Sequence, residues 1–273
     1  MRRLIAERVR VQMCVTSPPY WGLRDYGCPG QLGLESTPQE YVAAMVDVFR
    51  LVRELLADDG TLWLNLGDSY VANGSGQVPQ TKQHIGSGFA GPNRNGSTGL
   101  KPKDLVGIPW RVAFALQADG WYLRQDLIWS KPNPMPESVR DRCTKSHEYI
   151  FLLSKNERYF YDADAIAEPV SPSMLAQIEQ GYDGYTRNKR SVWTVTTKPF
   201  SGAHFATFPP GLIEPCILAG SRPGDTVLDP FFGSGTVGEV AENLGRKWIG
   251  CELHPDYIPL AEKRTAQSGL VLA

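Results

Sequence analysis

The chain has 273 residues, 42% of them hydrophobic, and a formal net charge of -1; that length buries a substantial core and suits one large α/β domain with a small elaboration rather than two enzymes. No apolar run reaches membrane-spanning length and Met1 to Arg10 is charged throughout, without the apolar core of a signal peptide, which predicts a cytoplasmic protein with no membrane partner. Cys14, Cys28, Cys143, Cys216 and Cys251 are odd in number, scattered and never in a Cys-x-x-Cys pair, so neither a disulfide framework nor a metal site is expected.

Val11 to Thr16 is a short apolar run, predicted to be a strand that delivers Ser17 to its C-terminal end, where open parallel sheets bind ligands. Thr16 to Trp21 reads Thr-Ser-Pro-Pro-Tyr-Trp. Pro18 and Pro19 lack amide hydrogens and have fixed φ, so the segment is a rigid, carbonyl-rich corner ending in an aromatic pair. Pro38 to Leu56 places Val42, Met45, Val46, Phe49, Val52, Leu55 and Leu56 at helical spacing behind a Thr37 cap with Glu40 three residues on. Asp59-Gly60 is expected to end this helix, and Thr61 to Leu66 to form the next, parallel strand, closing on Gly67-Asp68.

Residues 72–102 are rich in Gly, Asn, Ser and Gln and too long for an ordinary connection, which predicts a mobile functional loop. Lys103 to Ala118 is expected to be a helix, Tyr122 to Trp129 and Glu148 to Ser154 an antiparallel tail of the sheet, and Lys131 to Arg142 a proline-rich loop. Residues 156–192 have mixed polarity with several Tyr and Gly and are the best place for a recognition insert. Trp193 to Phe208 leads into a helix at Pro210 to Ala219. A strand at Thr226 to Asp229, a helix at Val237 to Asn243, a strand at Trp248 to Cys251 and a helix at Asp256 to Gln267 complete one domain over residues 1–273.

Asp229 to Thr236 reads Asp-Pro-Phe-Phe-Gly-Ser-Gly-Thr at a strand-to-helix turn. Gly233 and Gly235 let the backbone turn sharply and approach a ligand closely, and the amides of the helix opened by Thr236 suit a carboxylate. Glu252 follows Gly233 by 19 residues, the spacing at which an acid meets ribose hydroxyls in dinucleotide folds. A structural turn or an NAD site would also fit the glycines alone.

The net charge is unusual for a protein that grips phosphates, but its distribution is uneven. Lys82, Arg94, Lys101 and Lys103 lie between Gln80 and Lys103 with no acid among them, and Arg187, Lys189, Arg190 and Lys198 form a second such segment. These are candidate phosphate contacts; a solvated loop is the plain alternative.

The two signature strings, in this order, resemble the β-class of S-adenosylmethionine-dependent DNA amino-methyltransferases. The resemblance also takes in Gly60 to Asp68, Leu127 to Ser154 and Phe200 to Pro215. It implies a Rossmann-like α/β fold, a mostly parallel sheet with an antiparallel strand, a motif order circularly permuted from the usual methyltransferase order, and a small target-recognition insert. It implies S-adenosylmethionine as cofactor, contacted by Asp229, Phe231, Gly233, Ser234, Gly235, Thr236 and Glu252, with Phe205 and Thr207 added from His204 to Pro209. It implies double-stranded DNA as partner, with Ser17, Pro18, Pro19 and Tyr20 catalytic on a flipped base. Ser17 Oγ and the Pro18 carbonyl would accept the two amine hydrogens while Tyr20 stacks. The family often forms dimers, which suggests a homodimer here, and a cognate restriction endonuclease is a further partner that the sequence leaves open.

Serine at the first motif position looks more like cytosine-N4 enzymes, with adenine-N6 as the alternative. Relatives usually carry a strand and a short helix ahead of the catalytic strand, beginning with Gly-Asp, whereas here fifteen residues precede Thr16. A shortened N-terminus and a catalytically degenerate, DNA-binding relative are therefore a further expectation. A carbon-5 enzyme would need a Pro-Cys nucleophile; Pro215-Cys216 exists but falls within an apparent helix. Asn-Pro-Pro-Tyr protein methyltransferases place the glycine motif first.

Overall fold

The computed structural model describes residues 1–71, 99–170, 186–197 and 208–268. A short helix, α1 (Arg2–Ala6), leads into β1 (Val11–Thr16). Helix α2 (Pro38–Leu55) starts as its spacing predicts. Thr37 Oγ1 accepts from the Glu40 amide at 3.1 Å and the Glu40 carboxylate accepts from the Thr37 amide at 3.2 Å, which satisfies two donors at the helix entrance. Its stripe of Tyr41, Met45, Phe49, Val52 and Leu55 is fully buried; each of the aliphatic and phenyl groups contributes roughly 1.5–3 kcal/mol.

Asp59-Gly60 does not end that helix. Strand β2 (Leu56–Leu66) begins directly after Leu55, pairing Leu56 with Val11 and then Thr61 with Met13. The intervening residues bulge from the ladder, and a Cβ on Gly60 would lie 2.9 Å from the Ala57 and Gln12 carbonyl oxygens, so only glycine lets the bulge close. Helix α3 (Ile108–Ala118) begins at Ile108 rather than Lys103. Asp68, beyond the end of β2, accepts from the Gly107 and Ile108 amides at 2.9 and 3.0 Å and caps it from another element. The residues just before it are held instead by backbone bonds from Val71 to Asp104 and from Val106 to Ser69.

Strands β3 (Tyr122–Ser130) and β4 (His147–Ser154) pair antiparallel, and β4 lies antiparallel to β2. Within the predicted insert, β5 (Glu168–Pro169) and β6 (Thr186–Arg187) make a separate two-stranded ladder. Trp193 does not merely lead into a helix: β7 (Val192–Thr194) joins the main sheet parallel to β3. Burial of the Trp193 indole, 5% exposed and stacked on Trp63 at 6.4 Å, holds this short strand there.

Helix α4 (Pro210–Gly220), strand β8 (Thr226–Asp229), helix α5 (Thr236–Asn243) and strand β9 (Lys247–Gly250) follow. Helix α6 (Ile258–Ser268) starts after a single 3-10 turn at Pro255–Tyr257 rather than at Asp256. Strand β9 stops at Gly250, one residue before Cys251, and the Phe232 ring lies 2.3 Å from where a Cβ on Gly250 would stand, so only glycine fits there.

The sheet order is β7-β3-β4-β2-β1-β8-β9. From β1 the chain winds through α2 to β2 on one side; from β8 it winds through α5 to β9 on the other. The direction reverses between β1 and β8, the switch point at which open α/β sheets hold ligands beyond the carboxyl ends of their strands. Alternation along the strands feeds two cores. Cys14, Leu62, Leu64 and Leu228 pack with α2 and α3. Met13, Val15, Trp63 and Val227 pack with α4 and α5 on the opposite face.

Candidate active site

Both signature strings emerge side by side at the switch point, because β1 and β8 are parallel neighbours with Cys14 opposite Leu228. A buried bond ties them: Thr16 Oγ1 donates to Asp229 Oδ1 at 2.6 Å. The same oxygen accepts from the Phe231 amide at 3.0 Å, so Asp229 shapes the turn that follows it. Burial pushes the Asp229 carboxyl up to about 7, against the lowering effect of its two donors, and the nearby Glu252 charge adds to the rise.

The folded protein therefore holds a proton on Asp229 that the unfolded chain has lost. Stability from this group is full below the ordinary carboxylate range and falls as pH rises from about 4 to 7. Asp229→Asn, which resembles the protonated acid, should match the natural protein in thermal melting at pH 5 and exceed it at pH 7.5. Parallel melting curves at both pH values would remove the assignment.

The glycine turn is built for close approach. Gly233 has φ +51 and Gly235 φ +82, and a Cβ on Gly233 would meet nothing nearer than the Phe231 carbonyl oxygen at 3.9 Å. Glu252 lies in the turn beyond β9. Its Oε2 accepts from the Gly233 amide at 2.7 Å and its Oε1 from the His254 amide at 2.7 Å. Four lone-pair directions serve two donors, which leaves the carboxylate able to accept from a diol. The Ser234 and Thr236 hydroxyls do not face the open side. Arg264 donates to them at 3.1 and 2.7 Å and also to Glu239 at 2.5 Å, so their side chains brace the turn and only their amides remain for a ligand. Phe232 is buried and stacks on Trp248 at 5.0 Å, while Phe231 stays half-exposed.

At the other string, Tyr41 donates to the Pro19 carbonyl at 2.9 Å and the Leu23 amide to the Tyr20 carbonyl at 3.2 Å. The Pro18 carbonyl receives no hydrogen bond from any described residue. The Tyr20 ring packs on Gly67, where a Cβ would come within 2.5 Å of it. Its hydroxyl meets Ser17 Oγ at 3.3 Å, Asn65 Oδ1 at 3.1 Å and Glu148 Oε2 at 2.7 Å. Lys131 pairs with the other Glu148 oxygen and lies over the Trp129 ring. Burial, with the Glu148 charge beside it, holds the Tyr20 hydroxyl well above its ordinary value, so it stays protonated. Asn65, Lys131, Glu148, Thr16 and Arg264 were not legible as site residues; the one sequence signal was Asn65, a polar residue inside an otherwise apolar strand.

The expected cationic contacts are more neutral than their segments suggested. Lys101 pairs with Asp104 at 3.3 Å and Lys103 with Asp141 at 2.9 Å. Arg187 and Arg190 share Glu168 at 3.1 and 2.5 Å, and Lys189 lies over the Trp193 ring at 5.4 Å. Acids outside the two segments thus offset the charge that the segments alone display. Lys82, Arg94, Lys198, Phe205, Thr207 and residues 72–98 of the polar loop lie outside the described residues. Among the described residues no cluster of three His, Cys, Asp or Glu could hold a metal, and no helix is long and apolar enough to cross a membrane.

Cys216 is fully buried in α4, and burial raises its thiol far above the ordinary range. Its sulfur is 3.6 Å from the Leu212 carbonyl oxygen, within the core cluster that also holds Met13, Trp63 and Val227. If no sulfur nucleophile takes part, Cys216→Ser should leave incorporation in a tritiated-methyl assay within about twofold. Abolished transfer with normal melting would revive carbon-5 chemistry.

A glycine turn with Glu252 on its first amide, beside the strand end that carries Ser17 and the Pro18 carbonyl, places both signature strings at one ligand-binding edge of an open α/β sheet. Comparison with known proteins narrows this. The N6/N4 DNA methylase family model matches residues 11–263, and the chain belongs to that family: it is a DNA methyltransferase of the N4/N6 amino-methyltransferase type. It is 52% identical over 265 residues to the Type II methyltransferase M.Cfr9I of Citrobacter freundii, covering 97% of this chain and 83% of that one. It is 54% identical over 251 residues to the Type II methyltransferase M.SmaI of Serratia marcescens, covering 92% and 82%. The fold matches the PvuII DNA methyltransferase (cytosine-N4-specific) with a TM-score of 0.63 at 22% identity, over 94% of this chain and 81% of that one. It also matches a putative DNA modification methylase from Thermus thermophilus complexed with S-adenosyl-L-methionine, TM-score 0.64 at 22% identity, over 99% and 92%.

Proposed function

We propose that this protein transfers a methyl group from S-adenosylmethionine to the exocyclic amine of a base flipped out of duplex DNA, with cytosine N4 as the target. One observation carries the reading: Ser17, bonded to Tyr20, and the Pro18 carbonyl, which accepts from no described residue, leave β1 beside the glycine turn of β8, and the Thr16–Asp229 bond ties the two together. S-adenosylmethionine would supply an electrophilic methyl on a sulfonium that leaves as a neutral thioether, while the methylated amine gives up one of its hydrogens as a proton to solvent. Glu252 would hold its ribose hydroxyls, the first amides of α5 its carboxylate, and Phe231 would flank it. The raised Asp229 carboxyl would be drawn toward its ionised form by this cationic ligand.

A ring-bound amine is a poor nucleophile because its lone pair is delocalised. Ser17 Oγ and the Pro18 carbonyl accept its two hydrogens and draw the nitrogen toward tetrahedral geometry, an effect that strengthens as charge develops. Unstacking the base costs roughly a few kcal/mol, which contact with the mostly buried Tyr20 ring would offset in part. Serine rather than aspartate at position 17 favours cytosine; adenine-N6 transfer uses the same acceptors and is the second reading. Single-molecule sequencing of DNA from cells that express the protein reads the modified base and its context directly. N6-methyladenine would replace the cytosine assignment, and unmodified DNA would turn the reading to a DNA-binding relative without turnover.

Lys101, Lys103, Arg187, Lys189 and Arg190 are the proposed phosphate contacts, alongside Lys82 and Arg94. Binding must exchange the carboxylate partners of Lys101, Lys103, Arg187 and Arg190 for phosphates; affinity should fall steeply with salt, each neutralised phosphate contributing about -0.9 to the log-log slope. Lys101→Ala with Lys103→Ala should flatten that slope by at most about two units without changing the base methylated. An unchanged slope leaves the two as surface ion pairs. The relatives' Type II designations favour a cognate restriction endonuclease as partner, and a homodimer would be seen by light scattering.

A further inference from the structure

A hydroxyl both donates and accepts, so a serine facing a base does not by itself distinguish an amine from a carbonyl. The hydrogen bonds behind Ser17 remove that ambiguity. Asn65 Nδ2 donates to the Tyr149 carbonyl at 3.0 Å and to Glu148 Oε2 at 3.2 Å. Both partners accept only, which fixes the amide so that Asn65 Oδ1 faces Tyr20. Glu148 is paired with Lys131 and presents a carboxylate. The Tyr20 hydroxyl thus meets two acceptors, Glu148 Oε2 at 2.7 Å and Asn65 Oδ1 at 3.1 Å. Its single hydrogen is committed to that side whichever of the two it favours. Toward Ser17 it can offer only lone pairs, so Ser17 must be the donor of the 3.3 Å bond between them. With its own hydrogen directed at Tyr20, Ser17 Oγ keeps nothing but acceptor capacity for the base.

We infer that Glu148, held by Lys131 and aided by Asn65, acts through Tyr20 as a positioning residue that makes Ser17 an obligate acceptor. The pocket then takes a base carrying an exocyclic amine and rejects one carrying an oxo group at the same position. This rests on the proposal that Ser17 meets the target amine. It assigns Glu148, Lys131 and Asn65 a part in choosing the substrate, although none of them needs to touch it. An oxo base would set lone pair against lone pair, and the buried chain leaves Ser17 no cheap way to turn its hydrogen around.

Two variants break the chain at different links. Tyr20→Phe removes the hydroxyl and frees the Ser17 hydrogen while keeping the ring. Glu148→Gln offers an amide that can donate to Tyr20 and so reverse the direction of the bonds. Each should slow single-turnover methylation about tenfold and leave S-adenosylmethionine affinity, by calorimetry, within about twofold. The double variant should be no slower than Tyr20→Phe alone, because Glu148 acts through that hydroxyl.

The specific readout is base choice. Duplexes carrying the site found by sequencing are compared with the same duplexes in which the target cytosine is replaced by uracil, or a target adenine by hypoxanthine. Because an oxo base has no amine to methylate, the preference is read as binding in competition: the natural protein should favour the amino-base duplex by about tenfold more than Tyr20→Phe does, the cost of flipping being common to both proteins. If Ser17→Ala slows transfer but Tyr20→Phe keeps the full rate and preference, the inference is wrong and the role of Ser17 stands. A silent Ser17→Ala removes the underlying reading instead. Additive losses in the double variant overturn the route through Tyr20. Should Glu148→Gln lose cofactor binding with its fold, Tyr20→Phe, which keeps the packing on Gly67, decides by itself.

Discussion

Ser17→Ala is expected to lower the single-turnover methylation rate about 10- to 100-fold while the affinity for S-adenosylmethionine stays within about twofold. The magnitude is that of one hydrogen bond that strengthens as charge develops on the amine, roughly 1.4–2.7 kcal/mol of barrier. The separation of rate from affinity follows from the layout of the site. Ser17 belongs to the end of β1 and its hydroxyl bonds to Tyr20, whereas the turn on β8 is shaped by Asp229, Glu252 and Arg264. The strut between the two halves, Thr16 to Asp229, is untouched by the substitution. Rapid-quench kinetics at saturating cofactor, with calorimetry on the same preparation, measure both quantities. A variant that methylates at the natural rate shows that the hydroxyl is not an acceptor in the reaction.

Glu252→Ala should do the reverse. It removes the acceptor of two backbone amides, Gly233 and His254, each at 2.7 Å, together with the carboxylate proposed to meet the ribose. Cofactor dissociation constants should rise about 10- to 100-fold, as expected when charge-assisted bonds worth roughly 1.5–3 kcal/mol are lost. At saturating cofactor the rate should change less than about threefold, because the amine acceptors stand on a different strand. Glu252→Gln keeps an oxygen for Gly233 and should fall between the two proteins. Equal affinity for all three would mean that the carboxylate serves the turn and not the ligand.

Local chemistry made a good part of this molecule readable in advance. Thr37, Pro38 and Glu40 encode the start of α2 within four consecutive residues, and its buried stripe repeats at helical spacing. Gly233 and Gly235 have the positive φ that the glycine turn required, and Glu252, in the turn after β9, accepts from the Gly233 amide. Element boundaries failed where a distant group intervened. Asp68 decides where α3 begins, the Gln12 and Ala57 carbonyls decide how Gly60 turns, and the pocket for Trp193 turns a lead-in segment into a strand.

Proline, glycine and hydroxyl groups act on their immediate neighbours, so the chemistry on offer at each strand end could be read along the chain. What those groups are joined to depends on how the strands are ordered in space. The Thr16–Asp229 bond spans 213 positions and the Tyr20–Glu148 bond 128, and neither spacing is periodic or local. The neutralisation of Lys103 by Asp141, 38 positions on, is equally invisible to a scan of charge along the chain. A hydrogen bond or an ion pair depends on separation in space to within a few tenths of an ångström. Sheet order sets that separation, and sheet order is fixed by the burial of two faces at once rather than by any one segment.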